Sequence, residues 1–144
     1  MPALCDVNLL LALSTDRHAH NLRAVEWLDT VPTAGAVICR VAQCGLLRLL
    51  NNPAVMRMDV LDAAACWRLW SQLLQDDRIR FTTAEPPGLD SVFVQYTSGR
   101  PFSPKLWTDA YLAAFAHAGG LTVTTFDQGF RQFSDLSCEI LFAN

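Results

Sequence analysis

Three aspartates stand where they could share one piece of charge chemistry. Asp6 directly follows an apolar run in "ALCDVN", and Asp127 directly follows another in "LTVTTFD". Asp109 lies in "LWTDAYLAAFAHA", with apolar neighbours on both sides, an odd setting for a purely solvated charge. Carboxylates that converge repel one another and need a cation, protons or a basic partner to coexist. An oxygen-only set suits Mg²⁺ or Mn²⁺, hard cations that take carboxylates and leave room for phosphate oxygens. Such an ion activates water and stabilises charge on a phosphate. Asn8, two residues after Asp6, and Thr125, two before Asp127, are spaced to hold a carboxylate or a water in place. Taken singly, an aspartate after a strand is also an ordinary turn former or helix cap. The joint placement carries the argument.

That placement needs elements to supply it. Short apolar runs at 1–5, 36–39, "RIRFTT", "LTVTTFD" and "CEILF" read as strands. Between them lie helical patterns: one beginning over 8–13, then 18–30, 40–50, "DVLDAAACWRLWSQLLQ" with Asp59 as its N-cap, 89–96, and "LWTDAYLAAFAHA" ending at Gly119-Gly120. "NNP" at 51–53 stops the third helix, and "TSGRPFSPK" reads as a loop. Strands alternating with helices predict an α/β fold whose central, mostly parallel sheet is flanked by helices on both faces. In such sheets ligands gather beyond the carboxyl ends of the strands, at the topological switch point. Asp6 and Asp127 both belong to that edge, and Asp109 to the helix just before the second strand.

One polar residue sits out of place. In "RVAQCGLLRLL", Gln43 shares a helical face with Leu46, Leu47 and Leu50, so a neutral amide heads a stripe that points inward. A buried amide is costly unless its hydrogen bonds are made. The expectation is that Gln43 reaches the edge that carries the aspartates and orients water or a ligand there.

The bulk composition bounds the rest. A chain of 144 residues with 51% hydrophobic and 17% charged residues has side chains enough for a core and fits one domain over 1–144. A net charge of -3 argues against a surface that is one large polyanion clamp, without excluding a local basic patch. The 5 cysteines form no C-x-x-C pair and lie beside apolar residues, which reads as reduced core thiols. "MPALCDVNLLLALSTD" has no basic leader, Asp6 interrupts it, and the run from Leu9 to Leu13 is too short to span a membrane. The protein is expected to be cytoplasmic, with no membrane partner.

"LCDVNLLLAL", "TDAYLAAFAHAGG" and "LTVTTFDQGF", in that order, resemble a PIN domain, and "VAQCGLLRLLNNP" resembles the matching helix of VapC-type toxins of bacterial toxin–antitoxin pairs. The resemblance covers essentially the whole chain. It implies a PIN-like three-layer fold and an endoribonuclease in which Asp6, Asp109 and Asp127 bind Mg²⁺ or Mn²⁺ while water attacks an RNA phosphodiester. It also implies a homodimer and a cognate VapB-like antitoxin that covers the acidic pocket, often with a basic side chain. Many PIN domains carry Glu where this chain has Gln43. An amide cannot neutralise a second cation, so the departure implies one firmly held metal, with Gln43 still able to hydrogen-bond a water or a phosphate oxygen.

Of the basic residues near these motifs, Arg40, Arg48, Arg57, Arg100, Lys105 and Arg131, the first choice for RNA phosphate contact is Arg48 and the second Arg131. His18 and His20 point to different faces of a helix and make a poor chelate. Trp27 and its helix are read as an antitoxin groove or a dimer face. Two rival functions remain. Phosphoryl transfer through Asp6 would want a second Asp two residues on, where this chain has Asn8. A PIN module that is catalytically weak or inactive would bind RNA or a partner protein without cleaving it.

Overall fold

The apolar runs form five short strands in the computed structural model, which describes residues 1–142. They are β1 (Ala3–Cys5), β2 (Ala36–Cys39), β3 (Ile79–Thr82), β4 (Thr122–Thr125) and β5 (Cys138–Ile140), ordered β3-β2-β1-β4-β5. Every pairing is parallel. All four residues of β2 are buried, and successive side chains of a strand point to opposite faces, so both faces of the sheet are covered. The cover comes from α1 (Val7–Ser14), α2 (Asn21–Leu28), α3 (Arg40–Leu50), α4 (Pro53–Met56), α5 (Ala63–Leu73), α6 (Leu89–Thr97) and α7 (Pro104–Gly119). This is the expected α/β arrangement of helices around a central parallel sheet.

The strand order puts a topological switch between β1 and β4. The chain runs outward from β1 through β2 to β3, then returns to the other side of β1 to lay down β4 and β5. Crossovers leave the sheet in opposite directions there, which opens a crevice at the carboxyl ends of those two strands. Asp6 follows β1, and Asp127 follows β4 by two residues.

Several boundaries differ from the sequence expectation. α5 is capped by Asp62, whose Oδ1 accepts from the Ala65 N–H at 2.8 Å, and not by Asp59. Asp59 instead ends a short 3₁₀ turn and pairs with Arg17 at 3.5 Å. α2 is shorter than 18–30, and Trp27 on it is buried in the core, so that side chain is not available to a groove or dimer face. α7 begins at Pro104, because proline at the first helical position loses no hydrogen bond there. That start brings Lys105, expected in the loop, into helical register with Asp109. Cys5, Cys39 and Cys66 are buried as expected, whereas Cys44 is exposed and Cys138 half-buried. "NNP" stops α3 as expected, with Asn52 capping α4 through the Ala54 N–H.

α3 reaches the switch point by packing closely on α1, and a glycine permits it. A Cβ at Gly45 would stand 2.7 Å from Val7 Cγ2 and 3.2 Å from its Cγ1. Val7 adjoins Asp6, so this contact sets the spacing between the Asp6 turn and the first turns of α3. Alanine raises helix propensity by about 1 kcal/mol over glycine, but overpacking costs about 1–3 kcal/mol. Gly45→Ala is therefore expected to lower unfolding stability by up to about 2 kcal/mol, read from the urea midpoint. A gain in stability would mean that the α1–α3 contact yields freely.

Candidate active site

Two strand ends are tied together before any ligand arrives. The Thr125 hydroxyl donates to Asp6 Oδ2 at 2.6 Å and accepts from the Asp127 N–H at 2.9 Å. Asn8 Oδ1 accepts from the Phe126 N–H at 3.3 Å. Asp6 Oδ1 takes the Val7 N–H at 2.7 Å, capping α1, and Asp127 Oδ1 takes the Gly129 N–H at 2.8 Å, opening a short 3₁₀ turn over Gln128–Gln132. The capping roles that argued against a functional reading are thus real, but each cap uses one oxygen of its carboxylate. The other oxygen of Asp6 meets Thr125, and the other oxygen of Asp127 meets a cation.

The cation is Lys105. Its ammonium donates to Asp127 Oδ2 at 2.5 Å and lies 3.9 Å from Asp109 Oδ2, one helical turn on. The Asp109 side chain is 13% exposed and that of Lys105 is 70% exposed. Asp6, Asp109, Asp127, Asn8 and Lys105 line one cleft of about 760 Å³, with Arg40, Cys44, Gly45 and Arg48 on its other wall. Arg48, the first choice for RNA phosphate contact, lines this cleft. Arg131, exposed on the 3₁₀ turn, lines none of this cleft. Gln43 is buried and does not line it either; its Oε1 accepts from Arg40 Nη1 at 2.7 Å.

Electrostatics follows from crowding and burial. Burial pushes Asp6 above the ordinary carboxyl range against the hydrogen bonds from Thr125 and Val7, with the Asp127 charge adding to the rise. Burial, then the Asp6 charge, lifts Asp109 to about 6, with Lys105 opposing. Asp127 goes the other way, held below its ordinary value by the Lys105 hydrogen bond. The donor set is all oxygen, and a cation already sits between two of its members, so the residues fit a hard divalent ion. Among the described residues, no three His, Cys, Asp or Glu side chains lie close enough together to hold one ion as they stand.

Sequence reasoning passed over Lys105 and Arg40 as site residues while naming both. The signal for Lys105 was its spacing of four from Asp109. The signal for Arg40 was its position directly after β2, the same relation that Asp6 has to β1.

Comparison with known proteins bears on the family and the fold. The PIN domain family model matches residues 3–136. The chain is 38% identical over 142 residues to Ribonuclease VapC41 of Mycobacterium tuberculosis, covering 96% of this chain and 97% of the relative. It is 31% identical over 127 residues to Ribonuclease VapC38 of the same organism, covering 88% and 86%. Among solved structures, VapBC2 from Rickettsia felis, bound to a promoter DNA fragment, superposes with a TM-score of 0.69 at 13% identity over 99% of this chain and 100% of that one. Mycobacterium tuberculosis VapC20, a Sarcin-Ricin loop cleaving toxin, does so with 0.66 at 16% identity over 92% and 95%.

Asp109 gives a pH signature. Its folded pKa lies above its ordinary value of 3.8, so the proton it holds stabilises the folded state. That stabilisation is complete below 3.8 and is lost as pH rises through about 6. In EDTA, Asp109→Asn should therefore gain on wild type between about pH 5 and about pH 7.5, by about 1–2 kcal/mol or on the order of 4 °C in melting temperature. The same difference at both pH values would show that the carboxyl is not held up by its surroundings.

Proposed function

This chain belongs to the PIN-domain family, and on that premise we propose that it is a VapC-type endoribonuclease, the toxin of a toxin–antitoxin pair, that hydrolyses RNA phosphodiester bonds with a divalent metal ion. The observation that carries the reading is the set of three carboxylates at one crevice with a lone ammonium among them. Asp6, Asp109 and Asp127 are the residues that would hold Mg²⁺ or Mn²⁺, in the place Lys105 takes without it. Bound there, the ion supplies Lewis-acid activation of water and neutralises charge building on the phosphate.

The chain's own residues do the rest. Thr125 and Asn8 fix the two strand ends, so Asp6 and Asp127 keep their spacing at the edge of the cleft. Lys105 reaches the cleft on a largely exposed side chain, so its ammonium can leave the carboxylates for a phosphate oxygen without disturbing the core. Arg48, on the opposite wall, is set to meet the RNA backbone, and Arg131, on the turn that Asp127 caps, is exposed outside the cleft. With three carboxylates in the cleft and no acid at position 43, the site suits one firmly held ion.

The substrate is RNA, the protein partner a VapB-like antitoxin that covers this cleft, and the assembly a homodimer of chains each forming one domain over 1–144. RNA and antitoxin both place its work in the cytoplasm. No described helix is long and apolar enough to cross a membrane.

Purified protein should cut total bacterial RNA at discrete sites when Mg²⁺ or Mn²⁺ is present and not in EDTA. Asp127→Asn and Asp6→Asn should each lower the rate by about 10²-fold or more. Full activity in EDTA would sink the metal-dependent reading. RNA binding without cleavage under any divalent ion would favour a module that binds and does not cut.

A further inference from the structure

Arg40 is the first residue of α3 and directly follows β2. Because β3, β2, β1 and β4 lie side by side and parallel, their carboxyl ends deliver Phe81, Arg40, Asp6 and Asp127 along one edge in that order. Adjacent strands are about 4.8 Å apart, so Arg40 is the immediate neighbour of the acidic centre. It lines the same cleft as the three carboxylates.

Two contacts fix its guanidinium. The central carbon lies 5.0 Å from the centroid of the Phe81 ring, and Nη1 donates to Gln43 Oε1 at 2.7 Å. Gln43 is 3% exposed and sits on the buried stripe of α3, so its oxygen is a rigid acceptor. Among the described residues, no carboxylate lies within salt-bridge distance of Arg40. The choice of acceptor decides what Arg40 offers. A carboxylate at position 43 would make a charge-assisted bond and cancel the guanidinium. The amide oxygen orients the guanidinium and leaves its full charge, and its other N–H groups, to the cleft.

An acidic centre repels an RNA backbone, so a fixed, uncompensated cation beside it has a clear use. We propose that Arg40, held by Gln43 and Phe81, anchors the RNA phosphate flanking the one at the carboxylates, and that Gln43 is a positioning residue for Arg40 and not a member of the metal site. The inference rests on the ribonuclease reading and goes beyond it by giving the two residues one joint task.

The test uses a fluorescent oligoribonucleotide carrying a site that the wild type cleaves, with kcat and KM measured across a range of salt, and Mn²⁺ binding followed by calorimetry. Arg40→Met should raise KM about tenfold with kcat within about twofold, and reduce the salt slope of log(kcat/KM) by about 0.7, the loss of one single-strand phosphate contact. Gln43→Glu should do nearly the same and leave Mn²⁺ affinity and stoichiometry unchanged. The double variant should be no worse than Arg40→Met alone. Gln43→Met, which frees the guanidinium but keeps its charge, should raise KM about threefold and keep the slope. Should Gln43→Glu fail to fold, Phe81→Leu, which removes the ring beneath the guanidinium, is expected to raise KM in the same way. A Gln43→Glu protein with altered Mn²⁺ binding and wild-type KM would put Gln43 in the metal site and overturn the inference. So would a wild-type KM and salt slope in all these variants. A wild type that cleaves no RNA under Mg²⁺ or Mn²⁺ overturns the ribonuclease reading itself, a result distinct from either.

Discussion

Three carboxylates gathered at one crevice cannot all be ionised unless positive charge stands among them. That constraint organises this end of the molecule. Burial lifts Asp6 and Asp109, while Asp127, which holds the lysine most closely, is the one carboxyl of the three kept below its usual range. The lysine answers the repulsion only in part, because it reaches Asp127 and Asp109 and makes no hydrogen bond with Asp6. Asp6 is left to a neutral hydroxyl and its own helix cap. A site built this way stores an unmet demand for cation. A cation bound there would couple its binding to folding through the same carboxylates.

The sheet makes that arrangement possible at little local expense. Strands of three and four residues would be marginal alone, but a parallel sheet covered on both faces holds their ends in fixed order. The switch between β1 and β4 brings residues 6 and 127 together although 119 residues separate Thr125 from Asp6 along the chain. Thr125 does most of the fastening, since a single hydroxyl donates to one aspartate and accepts from the backbone of the other. α7 then lays Asp109 over the crevice, and the close α1–α3 contact at Gly45 brings the basic wall up to it.

Much of this was legible before the fold was seen, and the reason is periodicity. Apolar runs bounded by polar residues predict buried strands, and strands alternating with helices predict a parallel sheet. A parallel sheet dictates that residues following strands share an edge. Asp6 and Asp127 could therefore be paired from sequence, and Asn8 and Thr125 placed beside them. What could not be read was side-chain direction at polar positions. Asp59 and Asp62 are both good caps before the same helix, and only the backbone decides that Asp62 is used. Trp27 has the composition of an exposed anchor, yet its face turns inward. Gln43 was rightly read as buried at the head of an apolar stripe. Its partner lies three residues away in its own helix, a polar contact that the periodicity of apolar residues does not report.

The two cations of this edge differ in a way that sorts their tasks. Lys105 is engaged by two carboxylates, so its charge is spent inside the protein and it adds little field to the cleft until something displaces it. Arg40 is engaged by an amide and an aromatic face, neither of which carries net charge, so its field projects outward at all times. A guanidinium is also the better choice for a permanent role, since it does not lose its proton in proteins and its planar fork is pre-set for phosphate. A flexible ammonium suits a role that must be vacated. Swapping the acceptor at position 43 for an acid would erase the distinction, leaving both cations compensated and an acidic cleft with weaker means to hold a polyanion. The amide that first looked like a missing metal ligand is better understood as what keeps one positive charge uncancelled beside three negative ones.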